Sequence, residues 1–167
     1  MKALIVDGYN VINRVSEFQA RLETSLEAAR EHLIRYCGRW RDTRGDFGEL
    51  HVVFDGDSEV IGSYNRTVSG VQITYTRTKE DADDRIRQML DDSPRNRQCV
   101  VVTDDNELAA GVRSRGGGLM SAMEFAGVLR AKNHSPRGGK ADDFKASLSP
   151  EDEKRINADL KKAWGLE

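Results

Sequence analysis

The chain has 167 residues, 38% apolar and 32% charged, with a formal net charge of −2. That size suits one domain with a proper core, and the balance excludes a disordered chain. No apolar run approaches the ~18 residues of a membrane span, and the first strand begins too early for a secretory leader, so a cytoplasmic location is expected.

Residues 2–6 predict a first strand, closed by Asp7. Gly8-Tyr9-Asn10 reads as a turn, and Val11-Ile12 opens a segment without a strong period. Residues 24–42 predict a long amphipathic helix with Thr24 as N-cap and Glu27 completing a capping box. Leu26, Ala29, Leu33, Tyr36 and Trp40 recur at spacings of three and four, which marks the buried stripe. Thr43-Arg44-Gly45-Asp46 ends the helix. Residues 50–54 predict a second strand closed by Asp55, and 57–63 read as a polar surface loop. Residues 71–76, rich in β-branched and aromatic types, predict a third strand.

Residues 80–91 predict a helix with Ala82, Ile86, Met89 and Leu90 toward the sheet. Residues 99–103 predict a fourth strand, followed by a short helix over 106–114 that Gly116-Gly117-Gly118 ends. Leu119-Met120 makes a last strand. Ser121 caps the next helix, with a box to Glu124. The chain then turns polar and glycine-rich, a basic linker over 132–148. Ser149-Pro150-Glu151 starts a final helix over 149–167. The core domain is thus 1–131. Strands alternating with helices predict a parallel sheet with helices on both faces. Cys37 and Cys99 are too few and too isolated for a disulfide framework or a zinc site, and Cys99 reads as a small buried hydrophobe.

The placement of the acids carries the most information. Asp7, Asp55 and the pair Asp104-Asp105 all close predicted strands, and Glu80, Asp81, Asp83 and Asp84 open a predicted helix. In an open parallel sheet the carboxyl ends of the strands face one crevice, where ligands bind. Acids from distant parts of the chain would converge there and repel one another unless a hard divalent cation sits among them. The macrodipole favours one or two acids in a helix first turn, but four in five positions exceed that need. Ala82 and Ile86 fix the buried face, which makes Asp83 the first candidate to reach a metal shared with Asp7. Asp84, about 100° further round, is the second. Asp81 should face solvent, Asp105 could equally cap the next helix, and Asp55 could be an ordinary turn residue. Thr103 could hydrogen-bond a ligand carboxylate or a phosphate.

Setting aside seven of these acids, Asp7, Asp55, Glu80, Asp83, Asp84, Asp104 and Asp105, turns the net charge of −2 into +5 on the rest of the chain. An acidic pit in a basic surround suits a polyanion cut with the help of a metal. Magnesium takes two to four carboxylates and keeps several waters, and a metal-activated water attacks a phosphodiester well. No histidine is needed, and His32, His51 and His134 show no catalytic pattern.

Val6-Asp7-Gly8-Tyr9-Asn10-Val11-Ile12, Val52-Val53-Phe54-Asp55, Ala82-Asp83-Asp84-Arg85-Ile86 and Val101-Val102-Thr103-Asp104-Asp105 occur in that order. They resemble the motifs of the YacP-like NYN domain family, a branch of the PIN-like metal-dependent nucleases, over roughly residues 1–130. The resemblance implies a PIN-like three-layer α/β/α fold around a central parallel sheet, and endoribonuclease activity with Mg2+ or Mn2+. It implies Asp7, Asp83 and Asp105 as metal ligands and Asn10 as support. Asp84 and Asp104 are further metal candidates, with Asp55, Glu80 and Thr103 behind them.

The expected activity is therefore hydrolysis within single-stranded, mRNA-type RNA. Arg44, Arg66, Arg85, Arg113, Arg115 and Arg137 would hold its backbone; Tyr9 and Tyr64 could stack a base, but each is expected first as a packing residue. The tail would pack on the domain or engage RNA or a ribosomal, translation-associated partner. A non-catalytic RNA-binding module of the same fold is the first rival, although a pure binder gains by losing acids near phosphates. A phosphoacceptor signalling domain ranks lower, because Leu119-Met120-Ser121 lacks the lysine it would need. An Asp-x-Asp phosphatase fails because position 9 is Tyr.

Overall fold

The computed structural model describes residues 2–42, 47–56, 64–77, 81–94 and 98–133. Its elements in chain order are β1 (Lys2–Asp7), α1 (Gly8–Arg14), α2 (Ser16–Gln19), a 3-10 turn (Ala20–Glu23), α3 (Leu26–Asp42) and β2 (Phe47–Phe54). Then follow β3 (Tyr64–Val68), β4 (Val71–Tyr75), α4 (Ala82–Asp91), β5 (Gln98–Val102), α5 (Asn106–Ser114), β6 (Gly118–Met120) and α6 (Ala122–Asn133). The expected loop at 57–63, Arg44, Glu80, Arg137, the final helix and all but the first two residues of the linker lie outside the described residues. No helix among the described residues is long and apolar enough to cross a membrane.

The strands form one six-stranded sheet in the order β3-β4-β2-β1-β5-β6. All neighbouring pairs are parallel except β3 with β4. Side chains alternate between the two faces of a strand, and that alternation divides the core. Leu4, Val6, Leu50, Val52, Phe54, Val100 and Val102 face the larger cluster, which α1, α3 and α6 complete with Ile12, Leu33, Trp40 and Phe125. Ala3, Ile5, Val53 and Val101 face the smaller cluster with Ile86 of α4 and Leu108 and Val112 of α5. The three-layer architecture expected from the alternation of strands and helices is present.

Several local expectations needed correction. Gly8-Tyr9-Asn10 is no turn: α1 starts directly after Asp7. A Cβ at position 8 would lie 2.3 Å from Cε1 of the buried Phe54 ring, so only glycine lets the helix start this close to β2. The cap of α3 is Ser25, whose Oγ accepts the Ala28 N–H at 2.9 Å, and not Thr24. Leu26 is 38% exposed and Tyr36 half-buried, so the buried stripe of α3 runs instead through Ala29, His32, Leu33, Ile34, Cys37 and Trp40. The second strand begins at Phe47, three residues early. The edge strand β3 was not foreseen. It joins β4 through Ser69 and Gly70, both with positive φ (50° and 75°), the backbone of a two-residue hairpin turn. At α6 the box forms as expected: the Ser121 N–H donates to Glu124 Oε2 at 2.7 Å, and the Glu124 N–H to Ser121 Oγ at 3.1 Å. Both cysteines are buried and free, and burial pushes the Cys37 thiol up.

Candidate active site

The chain runs outward from β1 through β2 to β4 and β3, then crosses back to β5 and β6 on the other side. The strand order therefore reverses between β1 and β5, and the crevice at such a switch point is where open α/β sheets bind ligands. Asp7, the last residue of β1, sits there at 7% exposure. It continues the face of Ala3 and Ile5, so it points to the α4 side of the sheet.

Across the switch point, the Thr103 hydroxyl just after β5 donates to Asp7 Oδ2 at 3.1 Å. Thr103 Oγ1 in turn accepts the Asp105 N–H at 3.1 Å. Asn10 Oδ1 accepts the Asp104 N–H at 2.9 Å, which ties the start of α1 to the end of β5. Asn10 and Thr103, the two residues expected behind the acids, each join separate parts of the chain here. Asn10 fixes the loop that carries Asp104 and Asp105, and Thr103 holds the carboxylate of Asp7.

Asp7 is pushed up to about 7, first by burial and then by the negative charge of Asp83. The Thr103 hydroxyl and the Asn10 N–H pull the other way, and Asp55 adds to the rise. Asp83, on the first turn of α4, is also raised, by burial and then by Asp105 and Asp81, with Arg87 opposing and Asp55 adding. Five aspartates from four parts of the chain therefore share one electrostatic neighbourhood.

Several of these acids also have structural work. Asp55 Oδ1 accepts the Ala82 N–H at 2.5 Å, which anchors the N-terminus of α4 to the end of β2. Asp81, exposed as expected, is the N-cap of α4 and accepts the Asp84 N–H at 2.7 Å. Asp105 is the N-cap of α5 and accepts the Leu108 N–H at 2.8 Å. Asp104 Oδ1 accepts the Ala122 N–H at 3.2 Å, at the start of α6. Asp84 is 62% exposed and paired with Arg87 at 3.1 Å.

The five acids predicted to share a metal therefore do not close on one point. Among the described residues, no three His, Cys, Asp or Glu side chains form a group that could hold a metal ion. Asp83 is left as the acid whose carboxylate makes no hydrogen bond to a helix N-terminus and no ion pair among the described residues, and Asp7 beside it is held by Thr103 and the Asn10 N–H. Asp104→Asn should accordingly keep cleavage within a few-fold of wild type in an RNA-cutting assay, since Asn Oδ1 still accepts from Ala122. A loss as deep as that of Asp83→Asn would return Asp104 to the metal.

The expected cationic surround is only partly at this end of the sheet. Arg85 stands one turn beyond Asp81 and donates to Gln88 Oε1 at 2.9 Å. Arg66, in the middle of edge strand β3, pairs with Glu31 at 2.9 Å. Arg113 and Arg115 lie at the far end of α5. A helix leaving the carboxyl edge of a parallel sheet finishes at the amino edge, and Arg115 there binds Asp91, the last residue of α4, at 2.8 Å. These two arginines therefore face away from the acids.

One cation at the right end was missed. Arg30 of α3 donates through Nε to the Tyr9 hydroxyl at 2.7 Å and through Nη2 to the same oxygen. No spacing in the sequence links Arg30 to Tyr9, since 21 residues separate them.

The YacP-like NYN domain model matches residues 4–165. That match extends past residue 130, where the nuclease motifs stop, and takes in the tail. The uncharacterized protein YacP of Bacillus subtilis (strain 168) is 30% identical over 89 residues, 53% of this chain and 51% of that protein. The matched segment thus spans about half of that relative. A crystal structure of a mutant of Rae1 (YacP) from Bacillus subtilis is similar with a TM-score of 0.64 and 25% identity, over 99% of this chain and 85% of that one. A second crystal structure of Rae1 (YacP) from Bacillus subtilis, at 23% identity, has a TM-score of 0.65 over 97% of this chain and 81% of that one, a likeness of fold. The chain belongs to the YacP-like NYN domain family and has its PIN-like nuclease fold, with Asp7 at the switch point of the sheet.

Proposed function

We propose that this chain is a metal-dependent endoribonuclease that hydrolyses phosphodiester bonds within single-stranded RNA. The observation that carries the reading is Asp7: a buried carboxyl pushed up to about 7, whose charged neighbours Asp83 and Asp55 are both negative. Burying a charge among like charges costs stability, and a fold built only for itself would place an apolar residue there. The cost is offset when a cation binds.

The donor set is hard oxygen throughout, which suits Mg2+ or Mn2+. Asp7 and Asp83 would hold the ion, Thr103 would fix the orientation of Asp7, and Asp105 and Asp55 would add field. Mg2+ takes only one or two carboxylates and keeps its waters, so a closed cage of three acids is not required. When bound, the cation supplies neutralisation of the phosphate charge and activation of water. The chain's own part is to hold Asp7 unprotonated in a defined rotamer, through Thr103 and the Asn10 N–H, and to keep the loop after β5 in place through Asn10 Oδ1.

The absence of a closed three-acid group among the described residues favours one second reading, an RNA-binding module of the same fold. Internally cut, end-labelled single-stranded RNA separates the two. Cuts that need Mg2+ or Mn2+, stop in EDTA and vanish in Asp83→Asn are the expected result. Metal-independent RNA binding without any cleavage by the folded wild-type protein sinks the nuclease reading and leaves the binding module.

A further inference from the structure

We infer that Arg30, set on a platform of Tyr9, Phe54 and Tyr75, binds a phosphate of the RNA strand flanking the one being cut. The inference rests on the nuclease reading for the identity of its ligand. Its basis in the structure is separate from the acids.

The Arg30 guanidinium lies 5.3 Å from the centroid of Tyr9, 5.6 Å from Tyr75 and 6.0 Å from Phe54. The rings brace one another: Phe54 and Tyr75 stack at 5.4 Å and 27°, and Tyr9 meets Phe54 at 5.1 Å and 50°. Phe54 is fully buried and Tyr75 nearly so, hence neither offers a face to a base. What the platform presents is the cation. Two of its N–H groups, those of the Nε–Nη2 edge, are spent on the Tyr9 hydroxyl, which fixes the plane of the fork.

The partners of this half-buried guanidinium among the described residues are all neutral: three aromatic rings, one of which also offers its hydroxyl. A half-buried arginine with only a structural role ordinarily takes a carboxylate. Glu31, the next residue, goes to Arg66 instead. An immobilised, uncompensated fork is a receptor for a planar or tetrahedral oxyanion, which it grips with two N–H groups at once.

The position selects the anion. Tyr9 follows Asp7 by two residues, and Phe54 immediately precedes Asp55. Consecutive strand residues point to opposite faces. The platform and the acids therefore share the same strand ends, one on each face of the sheet. A single strand of RNA lying over the carboxyl edge, with its scissile phosphate by Asp7, passes next over Arg30. A polyanion with regularly repeated phosphates meets both features, whereas a single small phosphate ester does not.

The test is binding of a fluorescent single-stranded RNA oligomer in EDTA, where nothing is cut, across a salt series, with folding checked by circular dichroism. Arg30→Gln should weaken binding about tenfold and lower the slope of log affinity against log salt by about 0.7, one phosphate contact on a single strand. Arg30→Lys should keep the slope and recover only part of the affinity, because an ammonium keeps the charge without the fork. Tyr9→Phe frees the guanidinium but retains ring and charge, so it should cost affinity with the slope unchanged. Equal affinity and slope for folded Arg30→Gln and wild type overturn the proposal, and so does a wild type that binds no RNA. The nuclease reading stands or falls separately, on metal-dependent cutting by wild type and its loss in Asp83→Asn.

Discussion

Asp7→Asn should lose RNA cleavage by about 100- to 1000-fold, a typical cost of one charge-stabilising group at an active site, while the metal-free protein melts at a higher temperature than wild type. The two effects have one cause. The Asp7 carboxyl is raised from 3.8 to about 7 by burial and by Asp83. Near neutral pH and above, its charged form therefore costs the metal-free fold up to ~4 kcal/mol. Asparagine keeps the acceptor that Thr103 and the Asn10 N–H use and carries no charge. Part of the gain is lost because the new amide must find acceptors, so a rise of about 1–3 kcal/mol, or roughly 3–10 °C, is expected in EDTA at about pH 8. Destabilisation of Asp7→Asn relative to wild type under those conditions would mean that Asp7 is an ordinary structural carboxylate. Undiminished cleavage would move the chemistry elsewhere.

Residues that must be polar where the fold would prefer them apolar are the ones a sequence betrays. Asp7 ends an unbroken run of Ala, Leu, Ile and Val, and a strand buried on both faces reads as such a run. The acids closing β2 and β5 were legible for the same reason, as was Asp83, set beside the buried Ala82 and Ile86. Which acids cap helices was less legible. A cap and a ligand demand the same residue at the same place, just before a helix N-terminus, and only the hydrogen bonds to Leu108, Ala122 and Asp84 separate Asp105, Asp104 and Asp81 from Asp83.

The misses in the fold have local causes. Tyr64–Val68 is a short edge strand whose alternation mixes polar and aromatic residues, so its period is weak. The Ser69-Gly70 pair before the clear strand Val71–Tyr75 was the available hairpin signal. Helix α1 begins on a glycine and has little intrinsic propensity. What holds it is burial of Val11 and Ile12, a tertiary cause that no window of seven residues contains. The Arg30 platform was illegible for a related reason. Its four side chains come from α1, α3, β2 and β4, and each alone is an unremarked aromatic or basic residue. The opposite error befell Arg113 and Arg115, where closeness in sequence suggested a cluster but the direction of α5 carried it to the wrong end of the sheet.

Divalent cation should stabilise the folded protein, and more strongly as pH rises. The folded-state value of Asp7, about 7, lies above its unfolded value of 3.8, so between them the folded state binds the extra proton. Stability of the metal-free protein is then undiminished by Asp7 below about pH 4 and falls as pH climbs through about 7. Asp83 is raised as well and acts in the same sense. A cation reverses the trend, because it binds the deprotonated acids of the folded state and competes with their protons. Mn2+ or Mg2+ at about a hundred times its dissociation constant adds about 2–3 kcal/mol, or roughly 5–10 °C in the melting temperature. That shift should be present at about pH 8, should fade toward about pH 5, and should be absent from Asp83→Asn. Melting curves with and without Mn2+ at both pH values decide the matter. A shift of equal size at both would place the ion away from Asp7 and Asp83. No shift at the higher pH would leave the raised carboxyl of Asp7 without the cation that explains it.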